Sequence, residues 1–245
     1  CDIDILGEES NLAEIELILA TTTTLGRLGF QNFQIRINDR RLLKAMAAYS
    51  GFEEKDFDDV FITLDKMDKI GMEGVERELI ADGYDSDSVE KYLALFRDME
   101  ASEDRLSFIE EKMTGFFDEE AKAGFREIIE SVNTTKDDCF QLVFDPTLVR
   151  GMSYYTGTIF EIMMPELGIS CGGGGRYDRM VGRFTGKDVP ACGFSIGFER
   201  IILILMESGF KVPNQSKKTA YLIEKGVSGD RLCEIIAEAQ RERQD

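Results

Sequence analysis

Four consecutive glycines, Gly172 to Gly175, sit in the stretch "SCGGGGRYDRMVG" and constrain this chain more than any other feature. Glycine has no side chain to pack and loses more conformational freedom on folding than any other residue. A run of it therefore weakens a helix and the interior of a strand alike. Three settings tolerate such a run: a loop that cradles a phosphate, a bulge at a sheet edge, or a strand that something bulky must approach closely. The phosphate-loop pattern needs a lysine and a hydroxyl directly after the glycines, and here Arg176, Tyr177 and Asp178 follow instead. A dinucleotide fingerprint fails too, because no βαβ pattern with a suitably placed acid surrounds the run. The edge bulge and the bare strand beneath a planar ligand stay open, the second with Arg176 and Tyr177 reaching the ligand from its end.

The flanks of the run read as strands. Residues 158–164 alternate well enough for one, and Pro165 to Gly168 supplies a turn, giving an antiparallel hairpin with the glycines. "ACGFSIGFERIILILMESGF" starts as a glycine-punctuated strand, turns into a helix near Phe198 and stops at Gly209. At the start of the chain, Cys1, Ile3 and Ile5 alternate with Asp2 and Asp4, and Phe33, Ile35 and Ile37 alternate again over 32–38, predicting two strands. Between them Asn11 and Glu14 form a capping-box pattern and Gly29 a helix stop, predicting a helix over 11–28. Residues 45–140 are amphipathic, helical and acidic, with a helix start at Asp87 and Glu90, and read as a solvated helical insertion. After Pro213, "NQSKK" is a polar linker, "TAYLIEKG" a strand and "GDRLCEIIAEAQRERQ" a helix. The sum is α+β built on an antiparallel sheet.

Composition removes whole classes of chemistry. The chain has 245 residues and no histidine, so no Ser-His-Asp or Cys-His triad and no histidine-ligated metal site exists within it. Its five cysteines are scattered and lack a C-x-x-C pair, which predicts free thiols and no zinc site. No apolar run reaches membrane-span length and no signal-peptide layout is present, so a cytoplasmic location is expected. The net charge of −18 is unevenly spread: residues 45–140 hold 27 acids against 11 bases, and the rest is nearly neutral. A local basic face remains available there for nucleic acid.

The residues left for chemistry are few. Arg150 offers a guanidinium fork for a carboxylate or phosphate, or is an ordinary surface arginine. Tyr154 and Tyr155, adjacent on a strand, are expected to face opposite sides. Arg200 falls in the first turn of a helix, where a bare cation is unfavourable unless an anion sits against the helix start. Glu199 beside it is a cap or a metal-side carboxylate. Asp4 and Asp2 share a strand face that lines a cleft or meets solvent. Together they suit a nucleotide plus a small polar molecule.

Three stretches resemble the histidyl-tRNA synthetase family. "RGMSYYTGTIFE" (150–161) and "CGGGGRYD" (171–178) look like its two histidine-specific motifs, and "GFSIGFERI" (193–201) like its class II motif 3. "CDIDILGEESNLAEIELI" (1–18) resembles the strand that closes motif 2 with its following helix, and "QIRINDRRLL" a further strand of the family. The resemblance implies a class II catalytic core over 1–44 and 141–213, split by the insertion at 45–140, with 214–245 a linker and the start of an anticodon-binding domain. It implies that Arg150 binds the substrate carboxylate and the α-phosphate in place of a general catalyst. Asp4, Tyr155 and Tyr177 would recognise the imidazole, Gly173 and Gly174 belong to the floor beneath histidine, and Arg200 with Glu199 belongs to the ATP site. Histidine, ATP with Mg²⁺, tRNA(His) and a homodimeric partner are the ligands implied, with no metal held by the chain itself. Ser153 departs from the aspartate common at its place. The chain starts after motif 1 and after the motif 2 arginine, so it is expected not to form histidyl-adenylate alone. Two rivals share the resemblance: the histidine-sensing regulatory subunit of ATP phosphoribosyltransferase, and a module that senses uncharged tRNA.

Overall fold

The computed structural model describes residues 1–150, 154–165, 167–211 and 219–243. Six strands, β1 (Asp2–Leu6), β2 (Phe33–Asp39), β3 (Phe140–Phe144), β4 (Thr158–Met164), β5 (Ile169–Arg176) and β6 (Ala191–Ile196), form one sheet in the order β1-β6-β5-β4-β2-β3. Every neighbouring pair is antiparallel except β2 with β3. A parallel pair needs a long crossover, and the helical insertion between these two strands provides it. The expected α+β antiparallel sheet is what the chain forms.

One face of the sheet is apolar. Phe33, Ile35, Ile37, Phe160, Ile162 and Phe194 are buried, and α1 (Leu12–Arg27) packs against β6 with Ala13, Leu17, Ile18 and Leu25 buried. The capping box does not form at its start. Asn11 takes a helical conformation and donates from Nδ2 to Glu127 at 2.6 Å, while Glu14 is buried in a fork with Arg176. A charge-assisted fork between two buried groups outcompetes a single backbone cap.

The insertion comprises α2 (Arg40–Ser50), α3 (Phe57–Leu64), α4 (Met67–Ala81, broken at Gly71), α5 (Ser86–Ala101), α6 (Arg105–Lys112) and α7 (Glu119–Thr135). It is more than a solvated face, because Leu42, Met46, Phe61, Leu79, Tyr92 and Phe96 build a core continuous with Leu148, Val149 and Ile159 beside the sheet. Some of its acids have local duties: Asp85, Asp104 and Asp118 accept backbone N–H groups at the starts of α5, α6 and α7. Asp85 thus starts α5 two residues before the position read from the sequence.

Helices α8 (Asp178–Thr185) and α9 (Phe198–Glu207) follow β5 and β6. The chain divides into a unit over Cys1–Leu203 and a second over Ile204–Asp245, which holds α10 (Gly229–Glu242), capped by Ser228. The strand expected over 219–226 is not formed. A strand exists through its hydrogen-bonded neighbour, and none pairs with this segment among the described residues.

Candidate functional site

β5 lies between β4 and β6 along all four glycines, so the run is neither an edge nor a loop. Alternation gives it two different faces. Gly174 lies between Phe160 and Phe194, whose rings meet at 4.7 Å, and a Cβ there would come within 2.9 Å of the Phe160 ring and strike the Gly193 carbonyl. Gly173 and Gly175 point the other way. A Cβ on Gly173 would collide with the Arg150 guanidinium, and one on Gly175 would stand 3.0 Å from Tyr155 Cδ1. Gly193 of β6 pairs with both Gly175 and Asp4, and a Cβ on it would strike the Asp4 carboxylate and stand 3.1 Å from the Tyr177 ring. The bare floor is therefore Gly173, Gly175 and Gly193. Gly174, read from the sequence as part of it, turns to the apolar face.

A bulge does occur, one residue before the glycines. The β4–β5 register shifts between Ile162 and Met163, so Cys171 is the extra residue between Gly172 and Ser170. A bulge re-aims the side chains beyond it, and Ser170 Oγ accepts from Arg150 Nη2 at 3.1 Å. The Ser170 carbonyl accepts from Arg200 Nη1. Ser170 thus joins two arginines from distant parts of the chain. Arg150 is also tied through Nε to Glu161 Oε1 at 3.0 Å, and its backbone holds φ at 28°. Such a conformation in a residue with a side chain persists only where its surroundings fix it. Arg36 on β2 approaches Glu161 at 3.5 Å, pairs with Asp145, and reaches Asp68 of α4 at 3.2 Å. Burial works against the Arg36 charge, but Asp145, Asp68 and Glu161 outweigh it and raise its pKa.

The far end of the floor is aromatic and acidic. The Tyr177 hydroxyl donates to Asp4 Oδ1. Tyr154 and Tyr155 precede β4 rather than lying in a strand, so strand alternation does not govern them. Their rings lean on each other at 4.3 Å, and Tyr154 meets Tyr177 edge-on at 6.4 Å. Burial first, then Tyr154 for Tyr155 and Asp4 for Tyr177, pushes both phenols above the ordinary tyrosine range. Both stay neutral donors at physiological pH.

Arg176 does not reach the floor. It crosses to the apolar face and forms a fork with Glu14, both bonds 2.6 Å, with the Ser10 carbonyl accepting at 2.8 Å. Arg200 and Glu199 are exposed on the first turn of α9. Asp2 is exposed on β1, and Ser153 lies outside the described residues. Sequence reading missed Glu161, Ser170 and Gly193. Only Glu161 left a signal, as a lone carboxylate in the apolar strand "TIFEIMM". From Ser170 to Gly175 the floor runs about 17 Å, with arginines at one end and tyrosines with Asp4 at the other.

An antiparallel sheet interrupted by a helical crossover, with a bare glycine floor flanked by arginines, defines the catalytic core of a class II aminoacyl-tRNA synthetase. The histidyl-tRNA synthetase family profile matches residues 3–201, and the chain belongs to that family. It is 44% identical over 205 residues to the histidine–tRNA ligase of Leifsonia xyli subsp. xyli, an alignment covering 82% of this chain and 48% of that protein. The crystal structure of histidyl-tRNA synthetase from Nostoc sp. PCC 7120 superposes with a TM-score of 0.72 at 24% identity, covering 100% of this chain and 58% of that one. A Bacillus halodurans protein described as an ATP phosphoribosyltransferase regulatory subunit/histidyl-tRNA synthetase superposes with a TM-score of 0.67 at 21% identity, covering 99% and 59%. The chain spans about half the length of the curated relatives it matches. No helix among the described residues is long and apolar enough to cross a membrane.

Proposed function

We propose that the protein is a histidine–tRNA ligase, which activates histidine with ATP and transfers the histidyl group to tRNA(His). The observation that supports this most is the Arg150 guanidinium lying over Gly173, between the Arg200 end of the floor and the Tyr155–Tyr177–Asp4 end. The imidazole of histidine lies over Gly175 and Gly193, with Asp4 accepting a ring N–H and the neutral tyrosines donating. Its carboxylate then falls at Arg150. The carboxylate oxygen attacks the α-phosphorus of ATP, the bond to the bridging oxygen breaks, and histidyl-adenylate and pyrophosphate form. Arg150 binds the charge that develops between the two groups, and Arg200 binds the polyphosphate. The terminal hydroxyl of tRNA next attacks the carbonyl carbon, and AMP leaves. Positioning and charge stabilisation suffice for both steps, which suits a chain without histidine.

Magnesium accompanies ATP and neutralises polyphosphate charge. Among the described residues no three carboxylates or thiols converge on one point. Magnesium is held by substrate phosphates, waters and one or two carboxylates, and Glu199 is the carboxylate beside Arg200. A homodimer in the cytoplasm is part of the same reading. The fold alone also suits a regulatory paralogue, and the pairing of Arg150 with Arg200 at the Ser170 end of the floor favours the ligase. Histidine-dependent exchange of pyrophosphate into ATP by the full-length protein tests the reading, together with charging of tRNA(His). Histidine binding with neither reaction would overturn it in favour of the regulator.

A further inference from the structure

Beside the aromatic end of the floor, α2, α8 and the segment before β4 enclose a cavity of about 340 Å³. Arg41 and Lys44 from α2, and Arg179 and Arg183 from α8, line it together with Tyr154 and Tyr155, and among the described residues no carboxylate does. Arg41 is committed to Asp39 by a fork at 2.9 and 2.7 Å. Lys44, Arg179 and Arg183 form no ion pair among the described residues. Lys44, Arg179 and Arg183 are exposed and gather positive charge at one cavity of a chain whose net charge is −18. The arrangement is that of an anion site. Its volume lies at the lower end of ligand pockets, about 300–1,000 Å³, which is of nucleotide size.

The position of the cavity selects the anion. It lies at the tyrosine end, whereas Arg200 and Ser170 lie at the opposite end of β5, so it is separate from the polyphosphate end of the floor. Cations interleaved with aromatic rings are what a single nucleic-acid strand needs, charge for the backbone and ring faces for bases, and the half-buried Tyr154 and Tyr155 supply the rings here. We propose that this cavity binds backbone phosphate near the 3′ end of the acceptor strand of tRNA, so that the strand approaches the floor past Tyr154 and Tyr155. The proposal rests on the ligase reading above.

The experiment uses the full-length protein with R179E/R183E, and R179Q/R183Q should the charge reversal lower the unfolding temperature. Pyrophosphate exchange needs no tRNA and should stay within about twofold of wild type. The KM for tRNA in charging should rise roughly 10- to 100-fold for two phosphate contacts of about 1.4 kcal/mol or less each. An unchanged tRNA KM in a folded variant overturns the proposal. So does an unchanged tRNA KM with weaker inhibition by inorganic tripolyphosphate, which assigns the cavity to free polyphosphate. Loss of the dimer with tRNA KM unchanged also overturns it, and assigns the cavity to a second copy. Should wild type show no exchange, the ligase reading falls by itself, and direct tRNA binding by wild type and variant still decides the cavity.

Discussion

Glu161 accepts from Arg150 Nε at 3.0 Å, while Arg36 stands 3.5 Å from its other oxygen, so one carboxylate holds guanidinium groups from two elements beside Gly173. Replacing it by glutamine keeps the shape and removes the charge, and a hydrogen bond to a charged partner contributes about 1.5–3 kcal/mol. For E161Q the expected result is an exchange kcat roughly 10- to 100-fold lower with a smaller change in histidine KM, because Arg150 is misplaced rather than lost. A KM effect without a kcat effect would remove the positioning role. The glycines separate in the same way. G173A drives a methyl group into Arg150 and should abolish exchange in a folded protein, whereas G174A presses on Phe160 and should lower the unfolding temperature first. Equal behaviour of the two variants would contradict the division of faces. The proposed roles of Arg150, Asp4, Tyr155 and Tyr177 come from the family resemblance of their motifs, since the residues alone leave Arg150 an ordinary surface arginine and Asp4 a solvent-facing carboxylate as readily as ligands. Gly193 and Ser170 were not legible, because strand register and a one-residue bulge bring them to the floor, and neither is written locally in the chain.

Elements were legible wherever period and punctuation agreed. The strands around Ile35 and Ile159 and the helix starts after Gly197 and Ser228 follow alternation and capping rules. Rules failed where a tertiary partner competed: Glu14 left its cap for Arg176, and Tyr154 and Tyr155 left strand alternation to lean on each other. A related competition lies inside the insertion. Tyr92 of α5 is fully buried among Phe52 and Phe96, with no hydrogen-bond partner for its hydroxyl among the described residues. An unsatisfied buried hydroxyl costs about 1–3 kcal/mol. Y92F keeps the ring and should stabilise the fold by about 1 kcal/mol, read as a higher denaturant midpoint. Burial also raises the Tyr92 pKa above its unfolded value near 10. Its contribution is therefore fully present below about pH 10 and is lost as pH rises beyond it. Between roughly pH 9 and pH 11, Y92F should lose less stability than wild type. An identical pH profile would show that burial does not hold the hydroxyl neutral.

At the scale of the molecule the sequence already separates charge from chemistry: 27 acids and 11 bases fall within residues 45–140, and the strands that build the floor lie outside that stretch. The structure adds where the bases go, since three unpaired ones meet at one cavity beside the floor. Exposed charges farther apart than about 8–10 Å are largely screened at physiological salt, so the acids can repel RNA locally without cancelling a distant basic patch. The salt dependence of tRNA binding reads this directly. For a single strand, every phosphate that the protein no longer neutralises should lower the slope of log affinity against log salt by about 0.7. Removing Lys44, Arg179 and Arg183 together should therefore lower it by about two. Converting the exposed acids Asp87, Asp98, Glu103 and Glu111 of the insertion to their amides should leave the slope unchanged and the affinity equal or higher. A weaker affinity after that neutralisation would place the acidic helices against tRNA, and the basic cavity would then no longer account for how the strand reaches the floor.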